Sequence, residues 1–238
     1  MATAAPAPER SARADPGAVH RGPSLGGLAV TFASLFLGSQ LVIGTMTVGT
    51  FPNPYDAPEL VQAYFGPNAE VLRFVAFLQF GAAIPLGIFT ATVVSRLRFL
   101  GLSVAGVTIA QFGGYVASIM LSLSGLITWA MTQPGMTDDL STLRALQLLS
   151  FSTGGVGHMV GLGLLLAGVS VPAAFARLLP RWIVWLGLGL GVLAEVSSTS
   201  LMLPMAALLL PLSRFPALLW LIAAGFAMPA ARPAQHAV

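Results

Sequence analysis

Apolar residues run along this chain in long, nearly uncharged stretches separated by short polar segments, and the lengths of those stretches set the architecture. The stretches are Leu25 to Val48, Val71 to Ser95, Phe99 to Thr132, Leu146 to Phe175, Trp182 to Leu203 and Phe215 to Met228. An α-helix rises about 1.5 Å per residue, so roughly 20 such residues cross a hydrocarbon layer of about 30 Å. The pattern predicts an all-α fold: a polytopic membrane helix bundle of six transmembrane helices spanning residues 25–228. Residues 1–24, rich in Ala, Pro and polar groups, read as a disordered N-terminal tail, and 229–238 as a short C-terminal one. No cleavage site follows the first apolar run, so it is expected to stay as a span and not be removed as a signal peptide.

Between the first two spans lies the longest loop, Phe51 to Glu70. Asp56, Pro58 and Glu59 form a helix-start signal, predicting a short separate helix over 57–65 that rests Leu60, Val61, Tyr64 and Phe65 on the membrane surface or the bundle mouth. Spans three and four exceed the length a bilayer needs, and Gly154, Gly155 and Gly157 mark the expected break in span four. In span two Pro85 removes a backbone donor and frees the carbonyl of Gly81, which predicts a kink.

Arginine placement orients the bundle. With the N-terminus inside, the cytoplasmic side holds Arg10, Arg13, Arg21, Arg96, Arg98, Arg177, Arg181 and Arg232, leaving Arg73, Arg144 and Arg214 outside. Both termini are therefore expected in the cytoplasm, with Trp129 at the outer interface and Trp182 and Trp185 at the inner one. The basic turns after spans two and four echo each other over Ser95 to Leu102 and Ala176 to Leu188, which raises duplication of a hairpin.

Composition narrows the chemistry. Among 238 residues, 56% are hydrophobic and only 8% charged, far below the roughly 25% of a soluble domain. The net charge of +3 is spread singly over span ends, with no stripe to follow a nucleic-acid backbone. With no cysteine, disulfides and thiolate metal sites are excluded. All basic residues are arginine, a bias that fits a GC-rich bacterial genome and the bacterial cytoplasmic membrane. Zinc-protease, phosphate-loop and nucleophile-elbow motifs are missing, so no catalytic residue, metal or cofactor is assigned and an enzymatic role ranks last.

What remains is a set of polar side chains inside the spans. Gln40, Gln79, Gln111, His158 and Glu195 occur one per helix and fall near a common depth, forming an expected intramembrane polar layer. Glu195 is the only carboxylate inside a long apolar run, and an intramembrane acid is costly unless paired, neutral or hydrated. Gly187 and Gly191 share its face, as Gly154 and Gly161, beside Gly157, share that of His158, and small residues let helices approach closely. Apposing those faces brings His158 to Glu195. Thr108, Gln111, Tyr115, Ser118, Ser122 and Gly125 add a polar seam on span three that lines a hydrated path or simply glues helices.

The motif Leu179-Pro180-Arg181-Trp182 leading into Leu186-Gly187-Leu188, with the terminal Leu219-Trp220-Leu221-Ile222-Ala223-Ala224-Gly225-Phe226, resembles the six-span bacterial membrane proteins grouped as domains of unknown function. That resemblance implies the architecture and no activity. The expected function is proton-linked solute transport or membrane sensing through the polar layer; the alternative is a structural or interaction subunit. Expected partners are the lipid bilayer, a small solute or proton, and a second copy of the chain, with no nucleic acid.

Overall fold

A computed structural model describes residues 18–231. Its helices are α1 (Leu25–Met46), α2 (Pro58–Phe99), α3 (Ala105–Met131), α4 (Leu140–Phe151), α5 (His158–Phe175), α6 (Arg181–Val196) and α7 (Leu209–Ala227). A π-helical segment, Ser152–Gly157, joins α4 to α5 without a break, and 3-10 segments Ser197–Leu201 and Pro204–Leu208 join α6 to α7. The described residues are all-α apart from a single bridge between Val19 and Ala231. Six helical stretches are long and apolar enough to cross a membrane.

Those six form a closed ring in chain order. α1 packs on α2, α2 on α3, α3 on α5, α5 on α6, α6 on α7, and α7 returns to α1. One end of the ring, the termini end, gathers the first and last described segments: His20 N–H donates to the Ala230 carbonyl at 2.8 Å, His20 Nε2 meets Ser95 Oγ at 3.0 Å, and Arg96 donates to the Met228 carbonyl. Burial, and then the neighbouring Arg96 guanidinium, hold the His20 imidazole below its ordinary pKa. Residues 19 and 20 are thus tied to residues 230 and 231, which corrects the tail boundary at Ser24. The expectations for residues 1–17 and 232–238 lie outside the described residues.

Several boundaries differ from the expected ones. The short helix over 57–65 is no separate element: it is the first part of the 42-residue α2, about 63 Å long, which outruns a bilayer and projects beyond the far end of the ring. Ala57, not Asp56, is the N-cap residue, and the Asp56 carboxylate instead accepts from Asn53 N–H at 2.7 Å. Val61, Tyr64 and Phe65 bury with Leu72, Met131 and Leu143 in a satellite core, while Leu60 faces outward. Near Pro85, Ser118 Oγ donates to the Ala83 carbonyl at 2.7 Å, so α3 bonds to the backbone beside the proline.

The last span starts earlier than expected. A helix over 215–228 would be only about 21 Å long, short of a hydrocarbon core. The helix begins at Leu209, and Pro216 falls inside it, so Arg214 is drawn within the helix and does not end it.

Backbone close approach holds the ring together. A Cβ on Gly161 would lie 2.5 Å from Ala117 N, one on Gly168 2.5 Å from Ala110 N, and one on Gly113 2.7 Å from Leu165 N, so α3 and α5 touch main chain to main chain. Ring closure uses the same device, since a Cβ on Gly225 would lie 3.0 Å from Gly26 N. Inside the ring, Phe32, Leu86, Phe89, Met159 and Leu162 fill the half nearer the termini.

Two turns at the termini end close by the same hydrogen-bond pattern. Leu102 N–H bonds Leu97 O and Gly101 N–H bonds Arg98 O after α2; Leu178 N–H bonds Ala173 O and Arg177 N–H bonds Ala174 O after α5. Gly101 has φ 93° and Arg177 has φ 52°, the left-handed conformation this motif requires. The structural equivalence thus sets Arg177 against Gly101. A left-handed non-glycine residue is strained, and Arg177→Gly is expected to raise unfolding stability by about 1 kcal/mol. Thermal unfolding of the reconstituted protein checks this, and an unchanged or lower midpoint counts against it.

At the far end Asp139 caps α4. Its carboxylate accepts from Ser141 Oγ at 2.6 Å, Thr142 Oγ1 at 2.7 Å and the backbone N–H groups of both. The Ser141 hydroxyl first, then that of Thr142, hold the acid down to about 2. A depressed carboxylate stabilises at pH values above its unfolded pKa of about 3.9, and the contribution disappears as pH falls through the folded value. Protection of the Ser141 and Thr142 amides from exchange, relative to the free-peptide rate at the same pH, should therefore fall between about pH 4 and 2, and in Asp139→Ala should already be low at neutral pH.

Candidate functional site

The ring is filled at the termini end but hollow toward the far end, where a cavity of about 920 Å³ opens between the helices. Aromatic rings make its floor. Arg214 lies over the Phe36 ring at 5.5 Å, Phe36 packs on Phe32 at 6.2 Å, and Phe32 on the His158 ring at 6.4 Å. Phe36 and Arg214 line the cavity, while Phe32 and His158 lie beneath it in the packed half.

Polar groups enter the cavity from several helices. Gln40 comes from α1 and Gln79 from α2. α3 contributes Ser124 and Thr128, one helical turn apart, which meet Ser150 of α4 through hydroxyl contacts of 3.1 and 3.0 Å. Gln147 also borders the space, accepting from Arg144 at 2.7 Å and donating to the Asn53 carbonyl. α7 brings Arg214, whose guanidinium donates to the Gly154 carbonyl in the π-helical segment. Such a segment widens the helix to i→i+5 bonding and recurs where a helix wall serves a function. Gly154 and Gly155 line the cavity there, and a Cβ on Gly154 would collide with Ser124 Oγ. The mouth is bordered by Asn53, Tyr55 and Asp56 on one side and by Pro204 and Met205 on another. Tyr55 donates to the Ser200 carbonyl at 2.9 Å, tying the first of these sides to the Ser197–Leu201 segment.

The expected polar layer is only partly realised. Gln40 and Gln79 share the cavity. Gln111 does not reach it: its Oε1 accepts from Arg98 at 2.8 Å near the termini end, because it lies only two turns into α3. Tyr115 faces outward and is 37% exposed, and Ser118 turns to α2 to bond the Ala83 carbonyl. The face of α3 that buries is the adjacent one, Ala110, Gly113, Ala117, Leu121 and Ser124, so the polar seam is a flank and not a lining.

His158 and Glu195 are not brought together; no hydrogen bond or ion pair joins them. His158 is fully buried, and its Nδ1 lies 2.9 Å from the Ala117 carbonyl. A carbonyl only accepts, so Nδ1 carries the proton, and Nε2 is left buried with no partner. Glu195 instead packs against Gly163, its Oε1 3.0 Å from where a side chain there would begin. At 100° per residue, position 163 is about 140° around α5 from position 158, so the two residues use different sides of that helix. The glycine faces sort the same way. Gly154 and Gly161 meet α3, Gly157 meets Met120 of α3, and Gly191 meets Gly163 and Ala167 of α5. Gly187 fits against Ser170 and the Trp220 indole, whose Nε1 donates to the Ile183 carbonyl at 2.7 Å. Ser198 donates to the Glu195 main-chain carbonyl and leaves its carboxylate alone.

Sequence reasoning missed Arg214, Ser124, Thr128, Ser150 and Gln147. A last span too short for a bilayer was the signal for Arg214, and the four-residue spacing of Ser124 and Thr128 was the signal for the hydroxyl pair. Among the described residues no group of three or more His, Asp or Glu side chains converges as a metal site would. Comparison with protein-family models, curated proteins and solved structures finds no match, and the chemistry of the cavity rests on its own geometry.

Proposed function

We propose that the chain is a multi-pass protein of the bacterial cytoplasmic membrane, with both termini in the cytoplasm, that takes a small solute into the far-end cavity from outside, as a step in transport or sensing. The observation that carries this reading is the contrast within one ring: aromatic and aliphatic side chains fill the termini half, while the other half leaves about 920 Å³ among Gln40, Gln79, Ser124, Thr128, Ser150 and Arg214. Ligand cavities have about 300–1,000 Å³ and a mainly apolar wall with a few converging polar groups. Polar side chains inside a membrane protein usually face such a space. The reading does not couple the solute to Glu195 and His158, which lie on different sides of α5.

The cysteine-free sequence makes the test direct. Gln40→Cys and Gln79→Cys should react with a membrane-impermeant maleimide added outside intact cells, and Phe89→Cys, in the packed half, should not. Equal silence at 40 and 79 would leave the cavity sealed from water and defeat the reading. Reaction only in inverted vesicles would reverse the orientation.

A further inference from the structure

We infer that the cavity binds a single-headed organic anion, a carboxylate on an apolar body, with the Arg214 guanidinium as its counter-charge; this rests on the solute-binding reading above. A guanidinium carries five N–H donors and is always charged. Arg214 uses Nη2 on the Gly154 carbonyl, its Nε is buried without a partner, and no carboxylate of the described residues forms an ion pair with it. Buried charges are ordinarily paired, because withdrawal from water is costly. Here the other side of the charge is a cavity.

The remaining lining narrows what fits. Asp56 is the acid of the lining, and its Oδ2 already accepts from Asn53 N–H. Gln40 and Gln79 supply amide donors to the same space as Arg214. Phe36, Phe65, Leu72, Val75, Leu121 and Leu210 make the wall apolar. A bare inorganic ion would leave most of this surface unmatched, whereas a carboxylate with an acyl or aryl body satisfies the cation and the wall together. The side of the 3-10 segment is not sealed: Met205 and Leu208 line the cavity and are 85% and 69% exposed. An amphiphile can thus arrive from water or from the lipid beside it.

The test uses the full chain in phosphatidylcholine nanodiscs, titrated calorimetrically with octanoate, octanol, octyltrimethylammonium and inorganic phosphate. Octanoate should bind saturably and at least about tenfold more tightly than octanol, since one charge-assisted hydrogen bond accounts for such a factor. Arg214→Gln should erase that preference, and Arg214→Lys should retain part of it. Equal affinity for octanoate and octanol, phosphate binding without octanoate binding, or undiminished preference in Arg214→Gln would overturn the inference. Should Arg214→Gln fail to fold, the head-group series on the unaltered protein decides alone. Discs containing phosphatidylglycerol separate the sources: competition with octanoate identifies a lipid phosphate as a natural occupant of the same anion site, and its absence identifies a free acid. Failure here with Gln40→Cys and Gln79→Cys still reactive would sink the anion and spare the cavity; silence at both sinks the two together.

Discussion

Gly161→Ala is expected to destabilise the bundle by about 2 kcal/mol or more, out of proportion to the single methyl group it adds. The new Cβ would lie 2.5 Å from Ala117 N and 2.8 Å from Gly113 O. Both neighbours are main-chain atoms, which cannot swing aside as a flexible side chain would, so α3 and α5 must separate along their shared length. Helix propensity works in the opposite direction and favours alanine by about 1 kcal/mol. Gly189 provides the matched control, because a Cβ there meets nothing within 4 Å. Gly189→Ala should be neutral or stabilising. Unfolding of both variants in mixed micelles checks the pair; equal responses would mean that the α3–α5 contact is looser than its geometry.

Trp220→Ala should cost about 3 kcal/mol or more. Trp220 is 1% exposed and heads the fully buried side chains by volume, filling the junction where α6 and α7 meet beside Gly187. Removing an indole leaves a void that backbone-tight neighbours cannot close. Between helices this apolar, which could sit in a nonpolar phase, the gain from leaving water would be small and lost packing contacts dominate instead. Trp220→Phe keeps most of the volume and gives up the 2.7 Å bond to the Ile183 carbonyl, so it should cost only about 1 kcal/mol. A phenylalanine variant as damaged as the alanine one would move the weight from packing to the hydrogen bond.

Length and polarity made the helices legible before their arrangement was. Each apolar run became a helix because main-chain groups in a nonpolar phase have few other ways to bond, and that constraint acts locally. The glycine triplet near 154 drew attention for the same local reason. Facing is not local. Gly154, His158 and Gly161 do share one side of their helix, but which neighbour that side meets depends on the closure of the whole ring, and it meets α3, not α6. Tyr115 and Ser118 belong to a regular polar seam, yet the deep contact was claimed by the smaller residues alongside, Gly113 and Ala117, because close approach favours small side chains over hydrogen-bonding ones. Arg214 was read as a boundary marker because an arginine near an apolar run usually is one. Counting the residues left after it would have shown that the helix needed more length and had to take the charge inside.

The seam between α1 and α7, tied by the bridge from Val19 to Ala231 and by the Gly26–Gly225 approach, has a bearing on biogenesis. Within the ring α1 is made before α7 and finds one of its two flanks only when α7 emerges, so ring closure follows synthesis of α7, and until then the Gly26 face of α1 lacks its partner. A permutant that links the segment after α7 to the segment before α1 and opens the α2–α3 hairpin near Gly101 should close the α1–α7 seam early and move that wait to α2 and α3, since a ring closed in chain order always parts one neighbouring pair.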